Sequence, residues 1–170
     1  MQPTLIIFGG LPGTGKSTIA SELARQLDAV YLRIDSIEQA IRNSGVVSQS
    51  FNDAGYRAGY AVAADNLRFG RTVIADSVNP LKITRDAWIG VADRAQVRAV
   101  EVEVVCSDPE QHKRRVETRA SNVQGLRLPT WQEVVSRKYE PWDRPHIVID
   151  TASHNLAENV KRLREMLTGQ

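Results

Sequence analysis

The sequence predicts an α/β fold, a three-layer arrangement of one five-stranded parallel sheet with helices on both faces, as a single domain over residues 1–170. Two observations predict it. Short apolar runs rich in β-branched residues alternate with segments of helical periodicity, the pattern of strands joined by crossover helices. A glycine-rich stretch joins the first such strand to the first such helix. With 170 residues, the chain is long enough for one substantial core, and no repeat or low-complexity tract divides it.

Thr4 to Gly9 is an unbroken apolar run ending in glycines, which suits a strand buried on both faces. Ser17 to Leu27 sets Ile19, Leu23 and Leu27 on one side at helical spacing. Val30 to Ile34 reads as the second strand, ending at Asp35, and Ser36 to Arg42 as a short helix; capping that helix is a second role open to Asp35, compatible with a chemical one. Ser44 to Asn52 is polar and reads as a loop. Asp53 to Phe69 is an alanine-rich helix, and Thr72 to Ala75 is the third strand, ending at Asp76. Asn79-Pro80 has the form of a cap and first helical residue for a helix carrying Trp88, Ile89 and Ala92. Val97 to Cys106 is the fourth strand. Asp108-Pro109 repeats the cap-then-proline signal for a helix to about Ala120. Ser121 to Leu128 holds Gly125 and no periodicity. Thr130 and Glu133 form a capping box. His146 to Asp150 is the fifth strand, and Ser153 stands where a cap is needed for the last helix.

Composition is that of an ordinary globular domain, 42% hydrophobic and 25% charged. No apolar run reaches the roughly 18 residues of a membrane helix, and Met1 to Thr4 lacks the basic start of a secretion signal. The expectation is a cytoplasmic protein with no membrane partner. Cys106 ends an apolar run and reads as a small core residue. His112, His146 and His154 pair with no second ligand at metal spacing. The net charge of +2 does not by itself argue for nucleic acid. Basic residues nevertheless concentrate between Lys113 and Lys138, with Arg127 and Arg137 among them.

Gly10-Leu11-Pro12-Gly13-Thr14-Gly15-Lys16-Ser17 completes the pattern G-x-x-x-x-G-K-[ST] between a strand and a helix, the context its chemistry requires. Glycines let backbone N–H groups converge on phosphate oxygens, and the helix start adds its positive dipole end. Lys16 then reaches the β- and γ-phosphates, the Ser17 hydroxyl meets Mg²⁺, and Thr18 completes the nucleotide contacts. The expected ligands are ATP and Mg²⁺. A guanine-reading N-K-x-D is missing, which argues against a GTPase switch. Asp76 is followed by Ser77 rather than by a water-activating glutamate, which argues against a motor-type ATPase.

A kinase needs a carboxylate for the acceptor hydroxyl and arginines over the transferring phosphoryl. Asp35, at the end of the second strand, is the candidate general base, because ligands of parallel sheets bind at the carboxyl ends of the strands. Asp76 is the candidate second Mg²⁺ residue, through coordinated water. Arg115 and Arg119, four apart before the glycine-containing segment, suit a lid over approximately 115–130. Arg119 is assigned to the phosphoryl group, and Arg115 to the nucleotide's phosphate or base. Acceptor-side helices fall at approximately 36–70, where Arg42, Tyr56 and Tyr60 are candidate substrate contacts. Arg57, Asp65, Trp131 and Trp142 are weaker candidates. Thr151 to Asn155 falls near the adenine by its position at a strand end.

These segments resemble the small P-loop kinases that include polynucleotide 5′-kinase, chloramphenicol phosphotransferase and the zeta-toxin kinases. The phosphate loop, Arg33-Ile34-Asp35-Ser36 with Arg42, Val73 to Pro80, and Arg115 with Arg119 carry the likeness. The resemblance implies an NMP-kinase-like P-loop NTPase fold with strand order 2-3-1-4-5 and in-line γ-phosphoryl transfer to a hydroxyl. The polynucleotide kinases place an arginine three residues after the catalytic aspartate; this chain has Glu38 there. The expected activity is therefore phosphorylation of a small-molecule hydroxyl on a sugar, nucleoside or antibiotic-like compound. A polynucleotide or nucleotide 5′-kinase and a non-catalytic ATP-binding module are the alternatives.

Overall fold

The computed structural model describes residues 2–45 and 53–169; most of the loop expected at 44–52 lies outside them. The elements run β1 (Thr4–Gly9), α1 (Lys16–Leu27), β2 (Val30–Arg33), α2 (Ile34–Asn43), α3 (Ala54–Arg68) and β3 (Val73–Asp76). They continue with α4 (Lys82–Ala95), β4 (Arg98–Val105), α5 (Pro109–Thr118), α6 (Trp131–Val135), β5 (Ile147–Asp150) and α7 (Leu156–Thr168). The five strands are all parallel in the order β2-β3-β1-β4-β5.

The central strand shows why its sequence does not alternate. Ile6 and Phe8 pack on the side of α1 and α7, with Ile19, Leu23, Val160 and Leu163. Leu5 and Ile7 pack on the side of α3 and α4, with Ala63, Leu67, Trp88 and Val91. All four β1 residues are fully buried, as a strand covered by helices on both faces requires. Register then aligns the strand ends that matter. Phe8 is level with Asp76 and Val102, Arg33 with Asp76, and Val105 with Asp150. The phosphate loop, the start of α2 and the turns after β3 and β5 consequently leave one edge of the sheet.

Helix starts are the main departures from the sequence reading. α2 begins at Ile34 with Arg33 as its N-cap, so Asp35 lies inside the first turn rather than capping it. α4 begins at Lys82, not after Asn79. Asn79 is fully buried at φ 48°, and its Nδ2 donates to the Phe8 carbonyl at 2.7 Å. Asparagine tolerates this left-handed conformation better than most residues, and the demand of the β1 carbonyl outweighs capping. α7 is capped by Asn155 in a reciprocal box with Glu158, because Ser153 turns its hydroxyl to Asp150 instead. The Thr130–Glu133 box is present as expected. α5 ends at Thr118, leaving Arg119 as an extended C-cap. Cys106 is not in the core; it is half-buried, with its sulfur 3.7 Å from the Arg115 guanidinium.

Arg85 is fully buried, which no local pattern of residues announces. Its guanidinium donates to the carbonyls of Asn79, Glu140 and Pro141 and lies 4.9 Å over the Trp142 ring. It ties the 140–142 segment to the turn before α4. Trp142 in turn covers Gly9, where an added Cβ would sit 2.5 Å from the indole. Trp142 is thus a wall of the fold.

Trp88 is fully buried and meets Tyr60 edge-on at 4.5 Å. Trp88→Ala should cost about 3–5 kcal/mol in urea unfolding. Phe69→Ala, at a position 84% exposed, should stay within about 0.5 kcal/mol of wild type.

Candidate active site

The glycines of the phosphate loop are there for conformation and for space. Gly13 and Gly15 hold φ near 88° and 92°, and Gly15 is the left-handed N-cap of α1. A Cβ at Gly13 would fall 2.4 Å from the Val116 side chain. Two loop members support the turn from behind. The Gly10 N–H donates to the Val78 carbonyl at 3.0 Å. The Thr14 carbonyl accepts from the Thr151 hydroxyl at 2.7 Å, and the Thr14 hydroxyl donates back to Leu11 at 3.0 Å. Leu11, Pro12, Gly13, Gly15, Lys16, Ser17 and Thr18 line a cleft of about 1120 Å³. The first-turn N–H groups of α1 have no intrahelical partners and attract anions there.

Lys16 is almost entirely buried, and its Nζ lies 2.8 Å from Asp76 Oδ1 and 3.5 Å from Ser17 Oγ. The Tyr31 hydroxyl donates to the other Asp76 oxygen at 2.6 Å. Burial pushes the Asp76 carboxyl upward, but the Lys16 charge and the hydrogen bonds from Lys16, Tyr31 and Ser17 outweigh it and hold it below the usual range. Burial and the adjacent Asp76 anion push the Tyr31 phenol far up, so it remains a donor.

Across the cleft stand Asp35, Glu38, Gln39 and Arg42 from α2. The Asp35 carboxylate has no hydrogen-bond partner among the described residues. Arg119 faces it: burial lowers the Arg119 guanidinium pKa, Asp35 opposes that, and Arg33 adds to it. Arg115 also lines the cleft, donating to the Thr151 hydroxyl at 2.7 Å and its carbonyl at 3.0 Å. Arg119 is the extended C-cap that follows Thr118, so the helix face expected to carry both arginines ends before it.

The edge thus brings together Lys16, Ser17, Asp35, Asp76, Arg115 and Arg119, and Arg42 lines the same cleft while contacting Glu38 at 3.4 Å. Tyr56 and Tyr60 do not line it. The Tyr56 hydroxyl accepts from the Asn79 N–H, and burial raises its phenol to about 12. Tyr60 packs on Trp88 and donates to the Thr84 carbonyl. Arg57 and Asp65 form surface pairs with Asp53 and Arg68. Trp131 packs against His112. The sequence reading did not single out Tyr31 or Gln39, which face the cleft from β2 and α2; Tyr31 is visible only once Asp76 is known to be level with Arg33 in the sheet. Ser17 and an ionised Asp76 are hard oxygen donors side by side, and they fit a Mg²⁺ ion held partly through water.

A family model described as an AAA domain, AAA_33, matches residues 5–137, well over half of the chain. The chain belongs to the AAA_33 family. Its curated relatives include the adenylyl-sulfate kinase of Bacteroides thetaiotaomicron, 29% identical, with 96% of this chain and 82% of that protein covered. The shikimate kinase of Corynebacterium glutamicum is 28% identical, with 89% and 96% covered. Among solved structures, the Mycobacterium tuberculosis APS kinase in complex with AMPPNP and APS superposes at a TM-score of 0.69 over 98% of each chain, at 17% identity, a likeness of fold. Family and relatives place this AAA_33 member among the P-loop kinases. No helix among its described residues is long and apolar enough to cross a membrane.

The Asp76 carboxyl is held below its ordinary value of 3.8. Its stabilising contribution is therefore full above about pH 4 and fades as pH falls through the lower folded value. Asp76→Asn, which strands Lys16, should cost about 3–5 kcal/mol at pH 7. The gap to wild type in urea midpoints should narrow below about pH 4.

Proposed function

We propose that this chain transfers the γ-phosphoryl group of ATP to a hydroxyl of a small molecule. One observation carries the reading: Asp35 and Arg119 share the cleft with the phosphate loop, and Asp35 lacks a hydrogen-bond partner among the described residues. Mere nucleotide binding gives that carboxylate no task. The curated relatives, named for small-molecule phosphorylation, support it.

In this reading the loop amides and Lys16 hold the β- and γ-phosphates. Asp35 accepts the proton of the acceptor hydroxyl as its oxygen bonds to phosphorus and ADP departs. Arg119 balances charge on the transferring group, and Arg115 with Thr151 bounds the adenine end. Ser17 and Asp76 are the residues that would hold Mg²⁺, which when bound neutralises charge on the phosphate oxygens. Segment 115–130 serves as the lid, and α2 and α3 form the acceptor side.

A screen of hydroxyl compounds for ATP-dependent ADP release, run beside Asp35→Asn, tests the reading. The variant should lose about 10²-fold or more in kcat with its KM for ATP retained. Full activity in Asp35→Asn would remove the general base from the account.

A further inference from the structure

A phosphate loop must do more than leave room; its amide N–H groups have to point at the phosphates. Among the described residues, the Gly13 and Gly15 N–H groups have no hydrogen-bond partner. The carbonyls that precede them are taken. Thr151 donates its hydroxyl to the Thr14 carbonyl at 2.7 Å. His112 Nε2, on α5, lies 2.9 Å from the Pro12 carbonyl. A carbonyl oxygen only accepts, so Nε2 carries the proton and donates it.

A trans peptide holds its C=O and the following N–H on opposite sides, and no described peptide bond is cis. Pro12 and Gly13 line the cleft, whereas His112 does not. His112 is 7% exposed and sits behind the loop, where α5 also sets Val116 against Gly13. Its hydrogen bond therefore holds the Pro12 carbonyl away from the cleft and turns the Gly13 N–H into it. The loop does not make this choice alone. Gly13 has φ 88°, and glycine accepts either sign of φ, so the Pro12–Gly13 peptide can turn over at little cost. Turned over, it would present a carbonyl oxygen to anionic phosphates. The Trp131 indole of α6 meets the His112 ring edge-on at 5.1 Å and holds its direction.

We propose that His112 is a positioning residue of the nucleotide site, a lock that keeps the Gly13 amide aimed at the phosphates. It stands 100 positions from Pro12, so the pattern of residues 10–17 does not contain it. The inference rests on the nucleotide-binding half of the reading above and is independent of the acceptor.

The test separates the donor from the shape. His112→Gln keeps an N–H at similar reach, His112→Met has the same length without one, and His112→Phe keeps a ring without one. Each is titrated beside wild type with AMPPNP and ADP in Mg²⁺, and with AMP. His112→Met and His112→Phe should weaken AMPPNP and ADP about tenfold. AMP, which lacks the phosphates that the loop cradles, should change by less than about twofold. His112→Gln should stay within about threefold of wild type throughout. In amide NMR spectra the Gly13 proton should move downfield on ADP binding in wild type and His112→Gln, and much less in the other two. Wild-type affinity in both His112→Met and His112→Phe overturns the proposal. So does an equal loss for all three nucleotides that His112→Gln fails to restore, which is what packing alone would give. If His112→Phe fails to fold, the comparison of His112→Gln with His112→Met decides alone. The expected pattern with no hydroxyl compound turned over upholds His112 and counts against phosphoryl transfer instead; a wild type that binds none of the nucleotides overturns both.

Discussion

Lys16 starts α1 with its ammonium buried against Asp76, the last residue of β3, while Tyr31 of β2 closes the other carboxylate oxygen. Three elements meet in this contact, and the arrangement of the cleft depends on it. Removing two charges from water is costly, and a pair so deeply buried persists because its geometry is close and its lone pairs are filled. The contact also sets the resting state of the proposed reaction. Incoming phosphates must compete with Asp76 for Lys16, and the carboxylate they release is then available beside Ser17. Tyr31 keeps Asp76 in place whichever partner Lys16 has.

The layout follows from the sheet. Parallel strands of matched register end at one level, so residues far apart in sequence project into a common crevice without any further device. The loop after β1 brings the phosphate site, β2 leads into Asp35, β3 supplies Asp76, and β5 leads into Thr151. Arg85 and Trp142 secure the strap that closes this edge behind β1, where Gly9 leaves no room for a side chain.

Much of this was legible in the residues. Buried parallel strands announce themselves as unbroken apolar runs, and Gly10 to Ser17 is specific in both spacing and context. Element types agreed throughout the described residues, while several ends did not. Asn79 and Ser153 carry good capping side chains, but a β1 carbonyl and Asp150 claim them, and a local pattern does not reveal distant partners. Tyr56 and Tyr60 share a helix face that could equally serve a pocket or a core; Asn79 and Trp88 decide for packing. Helical spacing put Arg115 and Arg119 on one face, but α5 ends between them and leaves Arg119 as its extended C-cap. Arg85 was invisible because a buried arginine is recognised only by the carbonyls around it.

The most direct measurement is a crystal structure of the chain with Mg²⁺ and AMPPNP. The account predicts that Lys16 Nζ leaves Asp76 for the β- and γ-phosphates, that Asp76 remains bonded to Tyr31 while turning to the metal's water shell, and that Asp35 and Arg119 face the γ-phosphorus from the open side. A complex in which Lys16 stays on Asp76 and the phosphates lie away from residues 10–17 would contradict it.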